Sequence, residues 1–167
     1  MIRGATKEDI EQLTRVHVLS WQSAYRGLLP EKALGNINYQ ERQDMWAAAI
    51  SQSPSETVVA VIDSNIVGFA NFRLYREDGE HLAAGEIRAI YLLREYWNKG
   101  IGSQLLEYAT NYLKNSCEVI FLWVLKTNQN AISFYENHGF IYDGIEKEES
   151  LWNVIVHEIR MSKAINS

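Results

Sequence analysis

The sequence predicts one mixed α/β (α+β) domain over residues 1–167, with about seven strands and about four helices. Three observations predict it. Gly85–Leu106 passes from an apolar, β-capable run (Glu86–Leu93) through Asn98-Lys99-Gly100-Ile101-Gly102 into residues at helical spacing. Cys117–Val124 is nearly all apolar, as a strand buried on both faces would be. The remaining β runs come as hairpins at either side, so strand–helix–strand units are confined to the middle of the chain.

Ile2–Ala5 reads as a short first strand. Thr6 with Asp9 three residues on resembles a capping box with Asp in place of Glu. The helix that follows carries Ile10, Leu13, Val16, His17, Trp21 and Ala24 at roughly helical spacing, with Leu19 off the main face. His17 on that stripe reads as a satisfied core or cleft-wall histidine. Trp21 and Tyr25 close the helix before Gly27-Leu28-Leu29-Pro30 breaks it; they are packing aromatics or the lining of a substrate groove. Asn38–Ile50 is a second helix with Met45, Trp46, Ala49 and Ile50 inward. Glu56–Ile62 and Ile66–Tyr75 form a hairpin around Asp63-Ser64-Asn65, and Arg76–His81 is a charged loop.

After the central strand, Ile101, Leu105, Leu106, Ala109, Tyr112 and Leu113 of the next helix recur at helical spacing. Asn128–His138 carries a further helix, capped by Thr127 or Asn128 and stopped at Gly139. Phe140–Ile145 starts a strand, Lys147–Trp152 reads as an acidic turn, and Val154–Met161 closes the sheet.

Composition removes several function classes. Formal net charge is −5, from 16 Lys+Arg against 21 Asp+Glu, so the basic face that binds a nucleic-acid backbone is not expected. No apolar run approaches the ~20 residues of a membrane span, and the N-terminus lacks a signal-peptide core. Cys117, the single cysteine, is expected as a buried thiol. These features fit a cytoplasmic protein. No metal-ligand spacing appears, so no metal is expected. The chain is compatible with a homodimer.

A Gly-containing loop between strand and helix aims backbone N–H groups and the positive end of the helix at one point, which suits an anion. A plain connection is the alternative. Neither G-x-G-x-x-G, with Leu at 105, nor a Walker loop is present. Trp97–Gly102 instead resembles the acyl-CoA loop [R/Q]-x-x-G-x-[G/A] of the GNAT acetyltransferases, with Trp at its first position. Asn128–Phe140 matches that family's N-x-x-A-x-x-F-Y-x-x-x-G-F pattern at every fixed position. With both blocks in order, the chain resembles the GNAT superfamily along nearly its whole length.

The resemblance implies a mainly antiparallel central sheet with splayed central strands, and acetyl-CoA as cosubstrate. It implies that Asn98, Lys99, Gly100, Ile101, Gly102 and Ser103 hold the pyrophosphate through backbone N–H groups. Ile90, Tyr91 and Leu92 match the strand end that pairs with the pantetheine arm, with Ile90 N–H facing the thioester carbonyl. Asn128 matches a cofactor contact. Trp97 departs from the family's Arg or Gln, and Arg94 stands where Pro is frequent.

Direct acetyl transfer needs a neutral amine, an oxyanion stabiliser and a proton for the leaving thiolate. Of the family's two base positions, one is Glu86, eleven residues before Trp97; the other is Trp123, which cannot accept a proton. Glu86 is therefore the candidate base, or else a structural carboxylate paired with Arg88 or a neighbour. Tyr135 matches the general acid. Trp21 and Tyr25 are candidate substrate contacts. The expected partner is a small-molecule amine, unassigned; Glu146, Glu148 and Glu149 would suit a cationic, polyamine-like one. The alternative function is a catalytically inactive acyl-CoA-binding sensor or interaction module on the same fold.

Overall fold

The computed structural model describes residues 1–76, 83–151 and 153–165. Seven strands, β1 (Ile2–Gly4), β2 (Thr57–Ile62), β3 (Asn65–Arg76), β4 (Ala83–Leu92), β5 (Val119–Leu125), β6 (Ile141–Leu151) and β7 (Val154–Ala164), form one sheet in the order β1-β2-β3-β4-β5-β7-β6. β4 and β5 pair in parallel; the β1–β2, β2–β3, β5–β7 and β6–β7 ladders are antiparallel. Five α-helices accompany them: α1 (Ile10–Tyr25), α2 (Glu31–Leu34), α3 (Tyr39–Gln52), α4 (Ile101–Leu113) and α5 (Gln129–Asn137). The mixed, mainly antiparallel sheet is the expected fold class. α2 is the element that sequence missed, because four residues are too few to show a period. It is held by burying Ala33 and Leu34.

The chain forms two compact units. Met1–Phe72 with Ala89–Ala109 makes one, and Arg73–Arg88 with Thr110–Ser167 the other. In the first, the β2–β3 hairpin turns on Asp63 and Ser64, both at positive φ (50° and 65°), as a two-residue primed turn requires. Its core gathers Leu13 and Val16 of α1, Trp46 and Ile50 of α3, Val59, Ile66, Phe69 and Leu93. Asn38 caps α3, its Oδ1 accepting the Glu41 N–H at 3.0 Å. Met45, expected inward, is 39% exposed: the buried residues of α3 are Trp46 and Ile50, with Ala49 packed beside them. At the start of α1, Asp9 accepts from Thr6 N–H at 2.8 Å, the return half of the capping box. The same carboxylate binds Arg3 at both oxygens, which holds it below the usual carboxylate range.

In the second unit, β5 pairs in parallel with β4 over Gly85–Ile87 and antiparallel with β7 along its whole length. β5 is not buried on both faces: Ile120, Leu122 and Val124 are buried, whereas Phe121 and Trp123 on the opposite face are half-buried. Cys117 is a buried thiol outside any disulfide that donates to Leu113 O, and burial pushes its pKa up. Lys147–Leu151, expected in an acidic turn, continue β6 as a strand. As an edge strand β6 is largely exposed, so it lacks the apolar alternation that marks a strand in sequence. Tyr112, one of the α4 residues at helical spacing, is 44% exposed, whereas Leu105, Ala109 and Leu113 are buried. The charged loop expected at Arg76–His81 lies, from residue 77 on, outside the described residues, as does Trp152.

Gly68 shows how tightly β3 and the end of β4 approach. A Cβ there would meet the Leu92 side chain and the backbone oxygen of Tyr91, the latter at 2.9 Å. Gly68→Ala should therefore destabilise the protein by about 1–3 kcal/mol, the usual cost of overpacking. Urea unfolding measures it, and an unchanged midpoint would show that β4 can shift freely.

Candidate functional site

The loop after β4 is shaped by its own side chains. Leu93 N–H bonds Val67 O at 2.9 Å, and a 3₁₀ turn over Arg94–Tyr96 follows. Trp97 then folds back: its Nε1–H donates to Leu92 O at 2.9 Å, and the Arg94 guanidinium lies 4.2 Å from its ring centroid. Asn98 (φ 61°) and Gly100 (φ 83°) take left-handed backbone conformations that bring the chain into α4. A Cβ on Gly100 would meet nothing within 4 Å, so this glycine serves backbone conformation rather than room. Gly102 already lies in the first turn of α4. The Gln104 N–H bonds Gly100 O at 3.2 Å, so the amides of Ile101, Gly102 and Ser103 precede that helical bond. An amide-rich helix end with a positive dipole is suited to an anion.

Trp97 explains its own departure from Arg or Gln. Its polar atom is committed to the carbonyl that ends β4. That contact engages Leu92 O, at the strand end expected to pair with the pantetheine arm.

The same unit holds an aromatic layer. Trp21 and Tyr25 of α1 have ring centroids 5.0 Å apart, and Tyr25 and Tyr91 share an OH···OH hydrogen bond of 2.9 Å. The His17 ring stacks on Tyr91 (5.9 Å, 26°) and meets Phe69 edge-on. His17 Nδ1 accepts the Trp46 Nε1–H at 3.1 Å, so the neutral ring carries its proton on Nε2. Burial, with the nearby Arg42 cation adding to it, pushes the His17 pKa down to about 4. His17 is thus the satisfied core histidine that the sequence suggested. Trp21 is only 8% exposed and backs the layer, while Tyr25 is half-buried. The Tyr25–Tyr91 link joins residues 66 apart and has no sequence signal.

The other unit carries Glu86, Asn128 and Tyr135. Glu86 Oε1 accepts from Arg73 Nε at 2.8 Å, and the carboxylate side chain is 13% exposed. Its partner is on the neighbouring strand β3, not Arg88 on its own strand. Asn128 caps α5, its Oδ1 accepting the Ala131 N–H at 3.2 Å. Its side-chain NH₂ has no partner among the described residues. Tyr135 sits half-buried on α5 with its ring edge-on to Phe140 (5.8 Å). Trp123, at the second base position, stacks under the Lys147 ammonium at 4.3 Å.

The acidic residues of β6 are matched rather than exposed as a patch. Glu146 binds Lys126 at 2.9 Å and Tyr142 OH at 3.0 Å; Glu148 lies 3.5 Å from His157. Lys147 lies between Glu149 (3.3 Å) and Glu158 (3.9 Å). Burial, then the Glu149 carboxyl, raises Glu158 to about 7.

The family model described as "Acetyltransferase (GNAT) family" matches residues 16–140, most of the chain. The chain is 35% identical over 140 residues to the uncharacterized N-acetyltransferase YuaI of Bacillus subtilis, covering 83% of this chain and 78% of that protein. It is 29% identical over 148 residues to the spermidine N(1)-acetyltransferase of Thermoplasma acidophilum, covering 83% and 86%. Its fold superposes on the crystal structure of the PaiA N-acetyltransferase from Thermoplasma acidophilum in complex with coenzyme A, with a TM-score of 0.82 at 24% identity over 99% and 98% of the two chains.

The buried imidazole makes a pH prediction. An unfolded histidine takes up its proton near pH 6.5, whereas His17 in the folded protein resists it until about pH 4. The stability that rests on neutral His17 is therefore fully present above 6.5 and is lost as pH falls toward 4. An NMR titration should find its ring resonances flat from pH 8 to about 5. A midpoint near 6.5 would mean that the ring reaches water.

Proposed function

The chain belongs to the acetyltransferase (GNAT) family, and from that premise we propose an acetyl-CoA-dependent enzyme that moves the acetyl group to a primary amine by direct attack. The observation that carries the reading is the loop from β4 into α4, with Asn98 and Gly100 left-handed and the amides of Ile101–Ser103 at the helix end. That donor set fits a pyrophosphate, since backbone amides and a helix dipole favour phosphate oxygens. Residues 1–167 act in this reading as one N-acetyltransferase domain.

In the proposed mechanism the acceptor amine must first lose a proton, because an alkyl ammonium resembles Lys, with a pKa of about 10.4. Glu86, oriented by Arg73, takes it directly or through water, or else anchors the acceptor as a cation. The neutral nitrogen attacks the thioester carbonyl carbon, and the oxyanion is stabilised by the Ile90 N–H. The intermediate collapses with cleavage of the C–S bond, and the nitrogen sheds its second proton to solvent, which reprotonates the Tyr135 phenolate, giving the neutral amide. Tyr135 donates its phenolic proton to the leaving thiolate. Between ordinary values of about 10 and 8.5, that transfer costs roughly 2 kcal/mol, small beside a reaction barrier. The Asn128 NH₂ contacts the cofactor.

For the acceptor, the likeness to a spermidine acetyltransferase supports a polyamine-like small amine. The β6 carboxylates do not add support, since each already faces a cationic or titratable partner of this chain. Tyr25, with Trp21 behind it, is the proposed aromatic contact. No observation favours an inactive acyl-CoA-binding module: the relatives are named as acetyltransferases, and Asn128 and Tyr135 are both present.

Thiol release from acetyl-CoA across polyamines, amino acids and peptide N-termini tests the function. A polyamine should support turnover, and Tyr135→Phe should lower it by roughly 10²–10⁴-fold with little change in cofactor affinity. Silence across the panel would remove the enzyme reading, and wild-type turnover in Tyr135→Phe would reduce Tyr135 to packing.

Glu86→Gln separates its two proposed roles at saturating acceptor. A base predicts a turnover that falls at neutral pH and recovers at high pH, where the amine is already neutral. An anchor predicts a raised KM with turnover nearly intact. Wild-type values throughout would leave only the structural pair with Arg73.

A further inference from the structure

We propose that Arg94 and Lys99 form a cationic subsite for a phosphomonoester dianion, the 3′-phosphate of the CoA carrier, separate from the backbone amides that take its pyrophosphate. The inference rests on the acetyl-CoA reading above. Its starting point is a pair of exposed cations, one before and one after Trp97 in sequence, each placed against an aromatic ring of the same segment. The Arg94 guanidinium carbon is 4.2 Å from the Trp97 ring centroid, and Lys99 Nζ is 5.5 Å from that of Tyr96.

Both rings are themselves fixed. Trp97 is tied through Nε1–H to Leu92 O at 2.9 Å, and Tyr96 packs against the core of its unit. The cations are therefore held by ring faces rather than by carboxylates. Neither forms an ion pair among the described residues, in contrast to Arg3, Arg73, Lys126, Lys147 and Arg160. Glu95, in the same turn as Arg94, pairs with neither.

Charge decides between the phosphates of the carrier. A pyrophosphate diester spreads single charges over oxygens that backbone amides satisfy well. A monoester carries about −1.5 to −2 at neutral pH and calls for full positive charges. A guanidinium binds it through a planar fork and an ammonium as a point charge. Because Arg94 is already stacked, it loses little side-chain freedom on binding. Trp97, which removes a polar side chain from the loop's first position, thus supplies the platform that presents a cation three residues earlier.

Calorimetry with CoA and with dephospho-CoA, which lacks only the 3′-phosphate, tests the subsite. The wild type should bind CoA about tenfold or more tightly than dephospho-CoA, the scale of one good charge-assisted contact. Arg94→Ala should weaken CoA by about that factor and leave dephospho-CoA within about twofold, and Arg94→Lys should recover part of the loss. Lys99→Ala should act in the same direction. Both side chains are exposed, and a thermal melt confirms that the variants are folded. Equal loss for the two ligands would put Arg94 on the pyrophosphate and overturn the subsite, as would no loss at all. A wild type that binds both ligands equally also overturns it while the CoA reading stands. A wild type that binds neither removes the CoA reading itself, and the subsite with it.

Discussion

The hydrogen bond from the Trp97 indole to the Leu92 carbonyl is the contact on which the candidate site depends. It closes the end of β4 with a side chain, where a sheet would otherwise leave a polar group to water. With that carbonyl closed, the backbone can leave the strand at once, pass through left-handed Asn98 and Gly100, and enter α4 with its first amides clustered. The indole ring so fixed also carries Arg94. One aromatic residue therefore ends a strand, orders a loop and orients a charge.

Behind β4, a second constraint operates through desolvation. His17 is surrounded by Trp46, Phe69 and Tyr91, and its ring Nδ1 accepts a hydrogen bond from the Trp46 indole. An imidazolium there would lose hydration and gain repulsion from Arg42, so the ring remains neutral and acts as packing. The polar edge of this layer is instead the phenol pair of Tyr25 and Tyr91. A histidine inside an enzyme family invites a catalytic role; here its surroundings assign it to the fold.

Charge on the other unit follows a similar logic. β6 is an edge strand with both faces largely wet, and it carries Glu146, Lys147, Glu148 and Glu149 in succession. Pairing with β7 sets Lys147 opposite Glu158 and Glu148 opposite His157. The charges are thereby answered across strands, and a charged rim of mixed sign protects the edge from pairing with another chain. Lys147 over Trp123 also fills with an internal cation the face of the residue that stands at the second base position. Glu86, mostly buried, is paired among the described residues with Arg73, which gives its carboxylate a fixed direction.

The sequence by itself determined the features that depend on neighbours along the chain. Gly100 and Gly139 are legible because local backbone conformation demands them, at φ 83° and 89°. The stripe Leu105–Ala109–Leu113 is legible because helical period is local, and Asn128 is legible as a cap because its acceptor reaches an amide three residues on. Tertiary structure decided whatever depends on which strands lie side by side. Arg73 rather than Arg88 pairs with Glu86, because a facing residue on the next strand comes closer than one two positions along the same strand. Tyr25 meets Tyr91, and β7 enters between β5 and β6 to make a strand of an apparent acidic turn. Side-chain partners set by strand order carry no period and no fixed spacing, and so they are written only in the folded chain.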